Sequence, residues 1–549
     1  MPARKQLLTA LVGAVVLLVT AACTDAADGG GGSSGPTRLT STTGPGKSAV
    51  DRVTWALPYG EPTTLDPAKV GDYSPQTVEA NLCDTLTRMN PDFSLRPGLA
   101  KKVSWEGDRA LVLELRPDVK FWDGSPMTAQ DVVHSLERHR DPKTQGLYGQ
   151  LFAGVTTIKA TGPHQVTLRT KGHDQTLPKA LSSSVGAVSK AAYVKKAGAA
   201  YGTAKGGLMC TGPYKLGSWK SGAGLNLERN DAYWDPELKP KAARIAFKFI
   251  TNSDTLTGAL LSGEVDGTYE LPPSSAKALG KSAKGAIHLG PSTQNVLLIP
   301  GHAKSPAADR RLLDALSQVI DRDALIKNVF GGDGTTLKSL VPPLTWRGDP
   351  AAATYDSAYE KLPAVPKPDL ARAKKLLKKA GPVGRPLTAA IPAGDQRGLQ
   401  AMTFIQAAAK KLGVEIKIRQ LQPTEMSSLF YDPAIRKGLD LVLTFGYVAM
   451  PDPASYVAES VVPGGIFNWT NYRNDAVTRH LDEARTASDP AASAQAYAKA
   501  QAIFTTTTPA VFLATTHERM FMNKRISGAP ASFAYAGMPW AAYLGGTSK

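Results

Sequence analysis

The length of the chain is the feature that most limits its fold, because 549 residues cannot pack around a single hydrophobic core. Single cores stop growing at roughly 250 to 300 residues, and longer chains divide into separately packed parts. Hydrophobic residues make up 42% of this chain and charged residues 20%, which is ordinary for a folded globular protein. The sequence therefore predicts a protein of two or three lobes.

Both secondary-structure periods occur along the chain, without internal repeats. In residues 110–115 (ALVLEL) every second residue is leucine, which predicts a strand, and the preceding residues 105–108 (WEGD) supply the turn of a hairpin. Thr128 followed by Asp131 is the pattern of a capping box and predicts a helix that begins at Thr128. Further helices are predicted over 310–320, 371–381 and 401–412, and further strands over 414–419 and 440–445. This mixture indicates an α/β fold.

The N-terminus carries the pattern of a cleaved export signal. Arg4 and Lys5 precede an apolar run from Leu7 to Val19, which is too short to span a membrane. Residues 19–23 (VTAAC) resemble the bacterial lipobox, which implies removal of the signal peptide 1–22 and attachment of a lipid to Cys23 at the outer face of the cell membrane. The alternative is ordinary cleavage with full secretion. Residues 23–50, rich in Gly, Ser and Thr, are predicted to form a flexible tether.

Cys83 and Cys210 are the other two of the three cysteines. An exported protein meets an oxidising compartment, so the pair is predicted to form a disulfide, with two buried free thiols as the alternative. Neither cysteine has a second Cys or a His at ligand spacing, so no metal site is predicted.

The net charge of +17 raises the question of nucleic-acid binding. The basic residues are spread thinly, and the densest run, 371–381 (ARAKKLLKKAG), is typical of an amphipathic surface helix. No nucleic-acid signature occurs, so a solvated face near anionic lipid is predicted instead.

Catalytic motifs are missing as well. His134 and His139 are five residues apart and so fall on different faces of a helix, and the sequence contains neither a HExxH pair nor a GxSxG elbow. No enzyme activity and no cofactor are predicted.

One long segment is specific to a family. Residues 113–138 (LELRPDVKFWDGSPMTAQDVVHSLER) resemble the signature of the extracellular solute-binding proteins of family 5, the peptide and nickel branch, which includes oligopeptide- and dipeptide-binding proteins. The likeness continues in the family's order through residues 210–219 (CTGPYKLGSW), 227–236 (LERNDAYWDP), 260–267 (LLSGEVDG), 310–326 (RRLLDALSQVIDRDALI), 371–381 and 451–456 (PDPASY). Any one of these segments is weak evidence for the family, but seven segments in the family's order are strong evidence.

The resemblance implies the two-lobed periplasmic-binding-protein fold, or Venus flytrap. Lobe I would comprise residues 51–291 and 512–549, with an extra subdomain near 86–165, and lobe II would comprise residues 292–511. The chain would cross between the lobes near 291–295 and again near 510–512.

The same resemblance implies a function. The protein would act as a monomer that captures a small, peptide-like solute between the lobes and delivers it to the permease subunits of an ABC importer. A sensor or adhesin lipoprotein that is not coupled to transport is the alternative. Neighbouring genes for two permeases and ATPases would distinguish the two.

The resemblance also implies that the loop after the first strand and segments of lobe II contact the ligand. The expected residues are Tyr59, Gly60, Asn295, Tyr447, Met450, Asp452, Asn468 and Trp469. Other prominent side chains are expected to be structural: Trp122, Asp123, Asn230, Tyr233 and Trp234.

One position departs from the peptide-binding relatives. Ala449 stands where those proteins carry the aspartate that pairs with the ammonium of the ligand. A buried ammonium without a carboxylate is costly, so either Asp452 or Glu61 takes over, or the ligand has no free N-terminus.

Overall fold

The structure is a computed structural model of the chain, and it describes residues 39–548. The signal peptide and Cys23 lie outside the described residues. The strands are β1 (Val50–Leu57), β2 (Thr87–Met89), β3 (Leu95–Pro97), β4 (Ala100–Trp105), β5 (Ala110–Leu115), β6 (Val155–Gly162), β7 (Gln165–Thr170), β8 (Tyr214–Lys220), β9 (Gly224–Arg229), β10 (Ala242–Phe249), β11 (Gly267–Thr268), β12 (Gly285–Gly290), β13 (Gln294–Pro300), β14 (Gly334–Thr336), β15 (Leu387–Pro392), β16 (Ile416–Leu421), β17 (Leu441–Tyr447), β18 (Val511–Thr516), β19 (Glu518–Asn523), β20 (Ile526–Ser527) and β21 (Gly545–Gly546). The α-helices are α1 (Tyr73–Glu79), α2 (Ala129–Glu137), α3 (Thr176–Ala180), α4 (Ala191–Ala197), α5 (Ser253–Ser262), α6 (Ala276–Leu279), α7 (Arg310–Ser317), α8 (Arg322–Val329), α9 (Ala352–Glu360), α10 (Leu370–Ala380), α11 (Gln396–Lys410), α12 (Pro423–Leu429), α13 (Pro453–Val461), α14 (Asp475–Thr486) and α15 (Pro490–Thr507).

The first lobe is built on a seven-stranded sheet in the order β12-β19-β11-β1-β10-β9-β8. Strand β1 lies near its centre and runs parallel to both β10 and β11. The fully buried Trp55 of β1 packs 4.7 Å from Trp540 and 5.1 Å from Tyr269, measured between ring centroids. Residues from the C-terminal part of the chain therefore complete the core of the N-terminal lobe.

The second lobe is built on a six-stranded sheet in the order β14-β18-β13-β17-β15-β16. Strand β13 is apolar along most of its length, and the alternation of a strand sends its side chains to two different cores. Val296 and Leu298 pack with helices α7, α8 and α11, whereas Leu297 packs with helices α9, α13 and α15. A central strand with both faces covered explains why β13 reads as a continuous apolar run.

The chain crosses between the lobes twice. The first crossing lies between β12 and β13, at residues 291–293. The second differs from the expectation, because β18 pairs with β13 and β14 and so belongs to the second lobe. Since β19 pairs with β11 and β12, the structure places the second crossing at His517 instead of near residue 512.

A separate four-stranded sheet, β4-β5-β7-β6, forms an extra part of the first lobe. Its core consists of residues between Leu86 and Val188, including the buried side of α2, together with Met450 of the second lobe. This core extends beyond the expected limit at residue 165, because β7 lies inside the sheet between β5 and β6. The expected hairpin is β4 and β5, and the expected capping box is present, with Thr128 and Asp131 bonded to each other's backbone N–H.

The segment before β1 is bound to the first lobe, so residues 39–50 do not continue the expected flexible tether. The N–H of Thr40 donates to the carbonyl of Leu289 at 2.8 Å, and that of Lys47 donates to the carbonyl of Gly546 at 2.7 Å. Gly46 permits this close approach, since a Cβ there would lie 2.4 Å from the nitrogen of Gly545. We call residues 39–48 the N-terminal strap.

A buried charge network joins several of the residues expected to be structural. Asp84 accepts hydrogen bonds from Arg88 at 2.7 Å, Tyr233 at 2.8 Å and Trp234 at 2.9 Å, and Arg88 also pairs with Asp235. The guanidinium of Arg88 lies 4.7 Å from the centre of the Trp234 ring. Cys83, the residue before Asp84, forms a disulfide with Cys210.

Candidate ligand-binding site

A cavity of about 600 Å³ lies between the two lobes, and residues of both lobes line it. From the first lobe come the loops after β1 and before α1, and from the second lobe come β17, the start of α11 and the segment around Trp469. This volume is within the range of roughly 300–1,000 Å³ that holds a small ligand. The cavity is therefore the candidate site.

Stacked aromatic rings form one wall across the boundary between the lobes. Tyr59 stacks on Tyr73 with ring centroids 4.4 Å apart, and the edge of Tyr447 meets Tyr73 at 4.8 Å. The hydroxyl of Tyr73 donates to the backbone carbonyl of Phe445, in the second lobe, at 3.0 Å. The lobes are thus in contact around the cavity, which corresponds to a closed arrangement.

A largely enclosed arginine lines the cleft. Arg397, at the start of α11, donates to the hydroxyl of Tyr59 at 2.8 Å and lies 3.9 Å from Glu270. Its guanidinium also lies 4.0 Å from the centre of the Phe445 ring. Burial lowers the pKa of Arg397, but Tyr59, Asp395 and Glu270 together raise it above its ordinary value, so the group stays charged. Arg397 can therefore offer a fixed cation to a ligand.

The lining is acidic on balance, although the whole chain is strongly basic. Four carboxylates, Asp72, Glu270, Asp395 and Glu459, face the cavity together with two cations, Lys69 and Arg397. The surplus of carboxylates makes the cavity a better environment for a cationic group than for a second anion.

Ion pairs join the extra part of the first lobe to the second lobe at a distance from the crossings. Lys179 lies 2.7 Å from Asp349 and 3.7 Å from Asp452, and Arg485 lies 2.7 Å from Asp174. The two carboxylates near Lys179 outweigh the effect of burial and raise its pKa. These contacts bind the extra part of the first lobe to the second lobe.

Four of the eight residues expected to contact ligand line the cavity, and four do not. Tyr59, Tyr447, Met450 and Trp469 line it. Gly60 lies next to Tyr59 with a positive φ of 87° and forms a turn back to Leu57. The side chains of Asn295, Asp452 and Asn468 form hydrogen bonds within the protein instead.

Asn295 is fully buried behind the lining and donates to the carbonyl of Leu340 at 2.7 Å. Asp452 caps α13 and accepts from Thr176 at 2.8 Å. The side-chain amide of Asn468 donates to the carbonyl of Tyr472 at 2.8 Å and so stabilises its own loop.

Neither of the carboxylates that the sequence suggested for an ammonium faces the cavity. Asp452 is engaged with Thr176 and Lys179, and Glu61 accepts from the indole of Trp219 at 2.7 Å and from the N–H of Gly222 at 2.9 Å. Sequence reasoning missed the carboxylates and the arginine that do line the cavity. Asp72 carried a local signal, because it is the N-cap of α1, but Arg397 and Glu270 meet only through the packing of the two lobes.

Comparison with known proteins decides the family. The profile described as "Bacterial extracellular solute-binding proteins, family 5 Middle" matches residues 94–468. The chain belongs to this family. As a family-5 protein it is a solute-binding protein of the class that serves ABC importers, and the resemblance and the two-lobed fold expected from the sequence are confirmed.

Several relatives of this family-5 protein are named for a ligand or were solved with one. The glutathione-binding protein GsiB of Escherichia coli strain K12 is 24% identical over 448 residues, covering 80% of this chain and 84% of that protein. The oligopeptide-binding protein AppA of Bacillus subtilis, solved with a nonapeptide, superimposes with a TM-score of 0.79 at 19% identity, covering 92% of this chain and all of AppA. DppA of Helicobacter pylori, solved with the peptide STSA, has a TM-score of 0.78 at 20% identity, covering 91% of this chain and 99% of DppA.

These relatives are binding proteins and not enzymes. In the described part of this family-5 protein, no group of three or more His, Cys, Asp or Glu side chains is placed to hold a metal ion. No helix among residues 39–548 combines the length and the apolar composition that crossing a bilayer would require.

Proposed function

We propose that this family-5 protein captures a peptide-like solute in the cavity between its lobes and delivers it to the permease of an ABC importer. It acts as a monomeric lipoprotein, held at the outer face of the cell membrane through Cys23, and it carries out no chemistry on the solute. The ligands of GsiB, AppA and DppA, which are glutathione and peptides, support this class of solute.

The observation that carries the proposal is the closed cavity itself. Aromatic and charged side chains of both lobes meet there, through the Tyr73 contact with Phe445 and the Arg397 contact with Tyr59. A ligand bound at this place touches both lobes and therefore favours the closed form over the open one.

The proposal is tested first by finding the solute. The protein is purified without its tether and analysed by native mass spectrometry. We expect the spectra to show either a ligand that co-purifies with the protein or complexes formed with members of an added peptide mixture. Adding that ligand should reduce the radius of gyration in solution scattering, since closure is the state that binds it. Turnover of the ligand by the protein, or saturating ligand without compaction, would contradict the proposal.

Removing an aromatic ring from either lobe is expected to weaken binding. Tyr59→Ala and Tyr447→Ala should each raise the Kd about thirtyfold or more, because losing a central aromatic contact typically costs about 2 kcal/mol or more. Titration calorimetry with the identified solute measures the change. Trp105→Ala is the matched control, because Trp105 packs in the extra subdomain against His173 and is not among the residues lining the cavity. Unchanged affinity in both cavity variants would disprove a clamp between the lobes.

The lipid anchor is tested in the cell. Wild-type protein is expected to sediment with membranes and to be released by detergent, whereas Cys23→Ser should lose the anchor and be mislocalised or released. Fractionation with immunoblotting measures the distribution. Recovery of the wild-type protein wholly from the medium would favour full secretion instead.

A further inference from the structure

One end of the cavity collects hydrogen-bond acceptors. Asp72, Gln76 and Glu459 all line it. Asp72 accepts from the N–H of Tyr73 at 2.7 Å and from the hydroxyl of Ser427 at 2.9 Å, and Glu459 accepts from the N–H of Ile466 at 3.1 Å. Among residues 39–548, the donors to these two carboxylates are backbone N–H groups and a hydroxyl, and neither carboxylate forms an ion pair with a lysine or an arginine.

Gln76 supplies an independent sign that a donor belongs there. The side chain is 4% exposed, and its Oε1 atom has no hydrogen-bond partner among the described residues. Gln76 is the fourth residue of α1 and Asp72 is the N-cap of that helix, and the N–H of Gln76 donates to the carbonyl of Asp72 at 3.1 Å. Buried acceptors without donors are rare in proteins because they are costly, and a donor group on a ligand would satisfy this one.

Tyr431 connects the two carboxylates in space. The ring of Tyr431 lies 6.4 Å from that of Phe467, whose N–H donates to the carbonyl of Glu459 at 2.9 Å. Burial, together with Tyr148, Asp72 and Glu459, raises the pKa of the Tyr431 hydroxyl, which approaches the chain at Gly71, next to Asp72. Gly71 allows this approach, since a Cβ there would lie 3.0 Å from the Tyr431 hydroxyl. Tyr431 lines the cavity and is 40% exposed, which leaves its ring available to a ligand.

The ring of Tyr447 lies 4.8 Å from that of Tyr73, the residue after Asp72, so Tyr447 belongs to the same end of the cavity. Burial raises the pKa of its hydroxyl, with further contributions from Tyr148, Asp72, Tyr431 and Tyr456. Its hydroxyl oxygen has no partner among the described residues. Tyrosine rings beside carboxylates form a surface that attracts a cation through both the ring faces and the negative charge.

We propose that this end of the cavity binds the protonated amine of the solute, with Asp72 and Glu459 as its carboxylate partners and Gln76 as a neutral acceptor. The rings of Tyr431 and Tyr447 lie beside the bound cation. This inference rests on the proposed function and narrows the solutes to those with a cationic amine, including peptides with a free N-terminus. It also accounts for Ala449, because the carboxylates for the ammonium come from other elements of the fold.

The test uses two matched mixtures of tri- and tetrapeptides made from Ala, Ser, Leu and Phe, one with free N-termini and one with N-acetylated termini. Lys, Arg and His are omitted so that the N-terminus is the only amine. The wild-type body is expected to bind the free-amine mixture roughly ten- to a hundredfold more tightly in native mass spectrometry and thermal-shift titration, as a lost charge-assisted hydrogen bond implies. Equal binding of both mixtures would overturn the inference while leaving the proposed function intact. Binding of neither mixture would sink the proposed function and the inference with it.

Two variants remove the charge while keeping the local structure. Asp72→Asn preserves the N-cap, for which Asn is as suitable as Asp, and Glu459→Gln retains an acceptor for the N–H of Ile466. Each is expected to reduce the preference for free amines roughly tenfold or more. Glu425→Gln is the control, because Glu425 pairs with Arg419 on the surface and is not among the residues lining the cavity. A preference that survives in the Asp72→Asn, Glu459→Gln double variant would disprove the site.

Discussion

Peptide mapping of the exported protein without reductant is expected to recover Cys83 and Cys210 in one linked pair of peptides. The two cysteines are 127 residues apart. Closing a loop of this length removes about 5 kcal/mol of conformational entropy from the unfolded chain in the chain-entropy model. The Cys83→Ser, Cys210→Ser double variant should therefore lose up to about that much free energy of unfolding, measured by guanidinium titration.

The control for this prediction is the reductant itself. Dithiothreitol should lower the unfolding midpoint of the wild-type protein but leave that of the double variant unchanged, because the variant has no bond to reduce. Two freely alkylated thiols in native exported protein would refute the disulfide and favour two buried free thiols.

Replacing Arg88 by methionine is expected to lower the free energy of unfolding by about 3–5 kcal/mol, the usual cost of breaking a buried ion pair from one side. Arg88 is 2% exposed, and its removal leaves Asp84 and Asp235 without their cation. The hydroxyl of Tyr233 and the indole of Trp234 would still donate to Asp84, but they cannot neutralise its charge. Guanidinium unfolding of Arg88→Met measures the loss.

Arg244→Met provides the comparison for the buried pair. Arg244 also pairs with an aspartate, Asp51, but the two side chains are 55% and 75% exposed. An exposed pair contributes about 0–1 kcal/mol, so this variant should be nearly as stable as the wild type. Equal losses in the two arginine variants would show that burial of the Arg88 network does not determine its contribution.

The local elements of the fold could be predicted from the sequence, because their signals are contained in a few neighbouring residues. The capping box of Thr128 and Asp131 and the alternating leucines of β5 are examples, and both appear as predicted. The residue at which the second lobe ends could not be predicted from such local signals. Residues 511–516 are suitable for a strand in either sheet, and only their pairing with β13 assigns them to the second lobe.

In the candidate site, too, some features could be predicted from local sequence and others depend on the tertiary fold. Aromatic residues such as Tyr59 and Tyr447 could be predicted as lining, because large rings with polar tips suit a cleft. Asp452 and Asn468 looked equally suitable, but a helix cap and a tight loop occupy their side chains. Such local bonds compete with ligand contact, and the sequence does not show which prevails. Arg397 and Glu270 come from different lobes, so their meeting depends on the closed fold.

The N-terminal strap has a practical consequence for following closure in solution. Lys47 is bonded to Gly546, so the first described residues and the last ones belong to one rigid body. Fluorescent dyes placed near Lys47 and Gly546 would keep a constant separation and give a constant energy-transfer signal, whether the lobes open or close. A useful reporter needs one dye near Thr547 and the other on the second lobe, for example at Lys378 on the exposed side of α10. Closure would then appear as a change in the distance between the dye on the first lobe and the dye on the second lobe.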